Sequence, residues 1–116
     1  MAKTLQELID EARREVPEMT VDEVKKLIDN NVPVLLLDVR DGEELGAGTL
    51  PGAVHASRGT LEMRVGRIGI EPETPIVTYC AAGVRSLFAA QRLKEMGFTD
   101  VKSMMGGFGA WQEAGY

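Results

Sequence analysis

A single cysteine carries the chemistry this sequence has to offer. Cys80 follows the strand-like run Ile76-Val77-Thr78-Tyr79 and precedes Ala81-Ala82-Gly83-Val84-Arg85-Ser86. In an open parallel sheet, ligands sit beyond the carboxyl ends of the strands. A helix opening at that point offers unpaired backbone N–H groups and the positive end of its dipole, which favour an anion. A thiol placed there has its pKa drawn below the free value of about 8.5, so more of it is thiolate at neutral pH. Ala81, Ala82 and Gly83 are small enough for backbone amides to approach a ligand. Gly83 also permits a positive φ if the loop curls into a cradle. Arg85 adds a guanidinium able to fork onto an oxyanion. Composition alone favours a plainer reading, since a lone cysteine is often a buried, inert hydrophobe. Its place after the strand, before three small residues, favours a reactive thiol instead.

Other polar residues invite weaker readings. Asp38 ends the aliphatic run Val34-Leu35-Leu36-Leu37 and could hydrogen-bond the loop after Cys80, or pair with Arg40. Support of the site is the role expected of it, with Arg40 as a structural partner. Arg58, before Gly59, either approaches the pocket or stays exposed. His55 fits a half-buried histidine bonded to backbone better than a general base, because a loop-activated thiolate needs none. Trp111 reads as packing, with an indole N–H that needs a partner if buried.

The elements that must position these groups are legible from pattern. Thr4-Leu5-Gln6-Glu7 and Thr20-Val21-Asp22-Glu23 are capping boxes, each opening a stripe of apolar residues at helical spacing. The first helix runs to about Glu15 and the second to Asn30-Asn31. Val34 to Leu37 reads as a strand buried on both faces, and Ile76 to Tyr79 as the clearest β-branched and aromatic strand. Short strands are expected at Ala53 to Ala56 and Val101 to Met104. A helical turn is expected at Glu43 to Leu45, and helices at Leu61 to Ile68, Arg85 to Met96 and Phe108 to Ala114. Helices alternating with buried strands predict an α/β domain, its central sheet mostly parallel with helices on both faces.

Composition narrows the function classes. The chain has 116 residues, 44% hydrophobic and 27% charged, which suits one folded domain. Thirteen basic against eighteen acidic residues give a net charge of −5, which works against nonspecific nucleic-acid binding. No segment approaches the ~20 apolar residues of a membrane span, so no membrane partner is expected. With one cysteine and one histidine, neither an internal disulfide nor an N/S-ligand metal site is expected. No cofactor is expected either. Met1-Ala2-Lys3-Thr4 leads straight into an amphipathic pattern, for which cytoplasmic residence is the default.

Cys80-Ala81-Ala82-Gly83-Val84-Arg85-Ser86 resembles the active-site loop of single-domain rhodanese-like sulfurtransferases. Three further segments match in order: Leu37-Asp38-Val39-Arg40, Gly48-Thr49-Leu50-Pro51-Gly52-Ala53-Val54-His55, and Met105-Gly106-Gly107-Phe108-Gly109-Ala110-Trp111 with Ala114-Gly115. Thr49 departs from the histidine frequent at that place in the family. The resemblance implies a rhodanese-like domain over residues 19–116, preceded by a helix and linker over 1–18. It also implies that Cys80 attacks the outer sulfur of a donor such as thiosulfate and holds it as a persulfide. The backbone N–H groups from Ala81 to Ser86 would cradle that sulfur, Arg85 would bind the oxyanion, and Arg58 would approach the pocket. The implied partners are a small-molecule sulfur donor and a thiol or cyanide acceptor, or a protein thiol. A carrier module that holds persulfide without turnover is the alternative. Tyrosine phosphatases and arsenate reductases have a similar loop with one more residue between cysteine and arginine than the four found here.

Overall fold

The computed structural model describes residues 1–116. Both capping boxes form: Thr4 accepts from the Glu7 N–H at the start of α1 (Leu5–Glu15), and Thr20 from the Glu23 N–H at the start of α2 (Val21–Asp29). The remaining helices are α3 (Leu61–Ile68), α4 (Val84–Glu95) and α5 (Gly107–Glu113). Short 3₁₀ helices occupy Gly42–Ala47 and Arg58–Thr60. The first extends beyond the single turn expected, and the second had no signal in the sequence pattern.

Five parallel strands, β1 (Glu18–Met19), β2 (Leu35–Asp38), β3 (Val54–His55), β4 (Ile76–Tyr79) and β5 (Val101–Met104), lie in the order β1-β5-β4-β2-β3. β4 is central and β-branched, flanked by β2 and β5. Both edge strands are two residues long, which leaves little unpaired edge for another chain to join. No helix is long and apolar enough to cross a membrane.

Alternation along the strands sends successive side chains to opposite faces. On one face Leu37, Ile76 and Val101 pack with residues of α1, α3 and α4. On the other, Leu36, Val77, Tyr79 and Met104 pack with Val24 of α2 and with Phe108 and Trp111 of α5. Ile9, Ala12 and Val16 of the N-terminal segment are buried in the first cluster. Burial of an aliphatic side chain of that size stabilises by roughly 1.5–3 kcal/mol, enough to hold a helix too short to stand alone. Glu18, assigned to the linker by sequence, belongs to β1 and pairs in register with Ser103.

One charged pair is built into the second face. Asp38 and Arg40 are 1% and 2% exposed. The Arg40 guanidinium donates through Nε to Asp38 Oδ1 at 2.9 Å and through Nη2 to Oδ2 at 2.7 Å. It also donates to the carbonyls of Gly48 (2.7 Å) and Glu44 (3.3 Å), and lies 4.4 Å over the Phe108 ring. The Tyr79 hydroxyl donates to Asp38 Oδ2 at 2.7 Å and accepts from the Leu50 N–H at 3.1 Å. His55 Nε2 lies 2.8 Å from the Arg40 carbonyl, so that nitrogen carries the proton. Burial works to raise the Asp38 pKa, but the bonds from Arg40 and Tyr79 outweigh it and keep the carboxylate ionised. One guanidinium thus ties β2, the 42–47 segment and α5 together.

Removing one partner of a buried ion pair leaves the other charge uncompensated. Arg40→Ala should therefore cost about 3–5 kcal/mol in urea unfolding. A loss below about 1 kcal/mol would mean that Asp38 is not held as a buried charge by this guanidinium.

Candidate active site

β4 ends at Tyr79, and Cys80 continues it onto the face covered by α4. The thiol is 1% exposed. The chain then turns sharply: Gly83 has φ +104° and caps α4 without a side chain. A Cβ at Gly83 would lie 3.2 Å from the Gly106 nitrogen, so both conformation and space call for glycine there.

This turn aims backbone donors at the sulfur. Sγ accepts from the Gly83 N–H at 3.1 Å and from the Ser86 N–H at 3.4 Å, and lies 3.5 Å from Ser86 Oγ. Burial alone pushes the thiol up. The Ser86 hydroxyl and the N–H groups of Ser86, Gly83 and Ala82 outweigh it, so the pKa falls below the usual thiol value. Ser103, buried on β5, donates to Ser86 Oγ at 2.8 Å, which leaves the Ser86 proton free to point at the sulfur. Thr78 Oγ1 donates to the Ser86 carbonyl at 2.8 Å and fixes the first turn of α4.

Turning N–H groups inward turns carbonyls outward. The Cys80 carbonyl accepts from the Phe108 N–H at 2.7 Å, and the Ala81 carbonyl from the Gly109 N–H at 3.1 Å. Both donors open α5, so one helix start cradles the sulfur and another holds the outside of the same loop. Gly107, just before them at φ +59°, has no room for a side chain. A Cβ there would fall 2.6 Å from the Ala81 carbonyl carbon and 2.7 Å from its oxygen.

The expected site residues are not all brought together. Ala81 to Ser86 form the loop as anticipated. Asp38 does not reach it; the carboxylate binds Arg40 and the Tyr79 hydroxyl instead. Arg85 faces no vacant oxyanion site. Its Nη1 and Nη2 donate to Glu44 at 2.8 and 2.9 Å, and Asp41 Oδ2 lies 4.0 Å away. The Arg85 guanidinium holds Glu44 down to about 2, helped by the Asp41 N–H. Arg58 pairs with Glu62 at 3.5 Å and lines a groove with Leu8, Phe88 and Arg92 that contains no residue of the 80–86 loop. Glu44, Tyr79 and Ser103 bond within or around the loop, yet sequence reasoning gave none of the three a role there. The start of α5 was matched as a segment but without its bonds to the loop, and Glu44 carried a signal as a carboxylate in an acidic run beside the strand end.

The rhodanese-like domain family matches residues 20–114. Thiosulfate sulfurtransferase GlpE of Shewanella oneidensis is 40% identical over 81 residues, spanning 70% of this chain and 78% of that protein. A structure from Rhodopseudomonas palustris, of unknown function and described as a possible tyrosine phosphatase, superposes with a TM-score of 0.83 at 30% identity. That match covers 99% of this chain and 93% of the other. The polysulfide-sulfur transferase homodimer of Wolinella succinogenes superposes with a TM-score of 0.81 at 31% identity, covering 95% and 82%.

Two measurements check the cradle. The alkylation rate of Cys80, followed against pH, should have its midpoint below the ~8.5 of a free thiol, and Ser86→Ala should move that midpoint upward. An unmoved midpoint would mean the hydroxyl does not face the thiolate. Gly107→Ala should raise the midpoint too, by displacing the loop, and destabilise by about 1–3 kcal/mol or more.

Proposed function

This chain belongs to the rhodanese-like domain family, and from that premise we propose that it moves sulfane sulfur through a persulfide on Cys80. The observation that carries the reading is a buried thiol whose sulfur accepts backbone N–H groups at the start of a helix. Such a setting stabilises a thiolate before reaction and an anionic persulfide after it.

The step is a nucleophilic displacement. The Cys80 thiolate attacks the outer sulfur of thiosulfate, an S–S bond forms to Cys80, and sulfite departs with the electron pair of the broken bond. An acceptor thiolate or cyanide then attacks the bound outer sulfur and returns Cys80 as thiolate. Negative charge stays at the cradle throughout, so the same donors serve both halves of the cycle. Ala82, Gly83 and Ser86 hold the cysteine sulfur. Val84 and Arg85 open α4, where N–H groups have no intrahelical acceptor, and they would face the added sulfur. Asp38 and Arg40 keep their supporting role through the fold. The four-residue spacing between Cys80 and Arg85 weighs against a phosphatase, whose loop is longer.

The test is the intact mass of reduced protein after exposure to thiosulfate, with Cys80→Ser alongside. A gain of one sulfur atom in the unaltered protein only, removed by cyanide as thiocyanate, is the expected result. Persulfide that resists cyanide and leaves only to a protein thiol would instead mark a carrier. No sulfur gained from thiosulfate or from an alkyl persulfide, with Cys80 still open to alkylation, would overturn the reading.

A further inference from the structure

The guanidinium best placed to greet an oxyanion is already engaged. Glu44 meets Arg85 with both carboxylate oxygens, at 2.8 and 2.9 Å, in a two-point geometry like that a sulfonate or phosphate would use. The carboxylate is held in place from behind. Its own backbone carbonyl accepts from Arg40, and Glu44 Oε2 also accepts the Asp41 N–H at 2.7 Å. Glu43 and Asp41 add exposed negative charge on the same segment. The guanidinium at the start of α4, close enough to Cys80 to feel its charge, is therefore neutralised by the chain itself. The pair is nevertheless open to exchange, because the side chains of Arg85 and Glu44 are 36% and 30% exposed.

From this we infer that Glu44 is a specificity-determining residue that acts through Arg85. It disfavours donors whose leaving group is an oxyanion and matches the resting site to alkyl persulfides. The inference rests on the sulfurtransferase reading and adds the donor class to it. With thiosulfate, the departing sulfite needs a cation, and Arg85 can serve only by first giving up Glu44. With an alkyl persulfide R–S–SH, the Cys80 thiolate attacks the outer sulfur and the S–S bond of the donor breaks. RS⁻ leaves with the electron pair, and the transferred sulfur gives up its proton to solvent, leaving the anionic persulfide in the cradle. No oxyanion forms, so the Glu44–Arg85 pair can remain closed throughout.

The experiment compares two donors, thiosulfate and the persulfide of 2-mercaptoethanol, on unaltered protein, Glu44→Gln, Arg85→Ala and the double variant, with cyanide as acceptor. Exposed ion pairs are worth at most about 1 kcal/mol, so Glu44→Gln should lower the thiosulfate KM roughly two- to fivefold. The KM for the persulfide, whose leaving group is a thiolate rather than an oxyanion, should move less. In the Arg85→Ala background, Glu44→Gln should have no effect on thiosulfate, because there is no guanidinium left to free. A thiosulfate KM that stays put or rises in Glu44→Gln would overturn the inference, as would equal shifts for both donors, which is what a general disturbance of the fold would produce. Failure of the unaltered protein to take sulfur from either donor would overturn the sulfurtransferase reading itself, and this inference with it. Failure confined to the Glu44 comparison leaves that reading standing.

Discussion

A loop that turns its N–H groups toward one sulfur must find acceptance for the carbonyls it turns away. This constraint organises much of the molecule. The Cys80 and Ala81 carbonyls have lost any strand partner, and an unpaired buried carbonyl costs about 1–3 kcal/mol. The first N–H groups of α5 take both. Helix starts have donors to spare and loops of this kind have acceptors to spare, so each cancels the other's deficit. The fit also explains why Gly107 sits between Gly106 and Phe108, since any side chain would enter the space of the Ala81 carbonyl.

The second organising element is the buried Asp38–Arg40 pair. Surface ion pairs contribute little to stability, and buried ones often no more than a well-packed hydrophobic substitute. What this pair supplies is placement. Arg40 uses the fork of its guanidinium on Asp38 and spends its other donors on the carbonyls of Glu44 and Gly48. Phe108 lies over its face. The segment that carries Glu44 to the rim and the helix that anchors the cysteine loop thus share one support. No buried side-chain nitrogen or oxygen is left without a partner.

Much of this was legible in the sequence because it is local. Capping boxes at Thr4 and Thr20, the aliphatic run ending at Asp38, and the strand, cysteine and small-residue order around Cys80 each act over a few residues. β1 was not legible, since Glu18 and Met19 become a strand only by pairing with β5. The bond from Arg85 to Glu44 spans 41 positions, and that from Ser103 to Ser86 spans 17. Chemistry that depends on such contacts has no periodicity to betray it. For Arg85, spacing placed the residue at the start of α4 but could not show that Glu44 is the anion it binds. For Asp38, the sequence left loop and guanidinium open as partners, and the bonds to Arg40 and to the Tyr79 hydroxyl, 41 positions away, decide for the guanidinium.

The docking of α5 against the loop has a consequence for how the protein comes into being. Cys80 leaves the ribosome well before Gly107 to Glu113, and β5 must join the sheet before those residues can reach the loop. Until then Ser86 lacks the bond from Ser103, and the Cys80 and Ala81 carbonyls lack the N–H groups of Phe108 and Gly109. The surroundings of the sulfur are thus completed by β5 and α5, which follow it in the chain, and α5 does its part through bonds to backbone carbonyls alone.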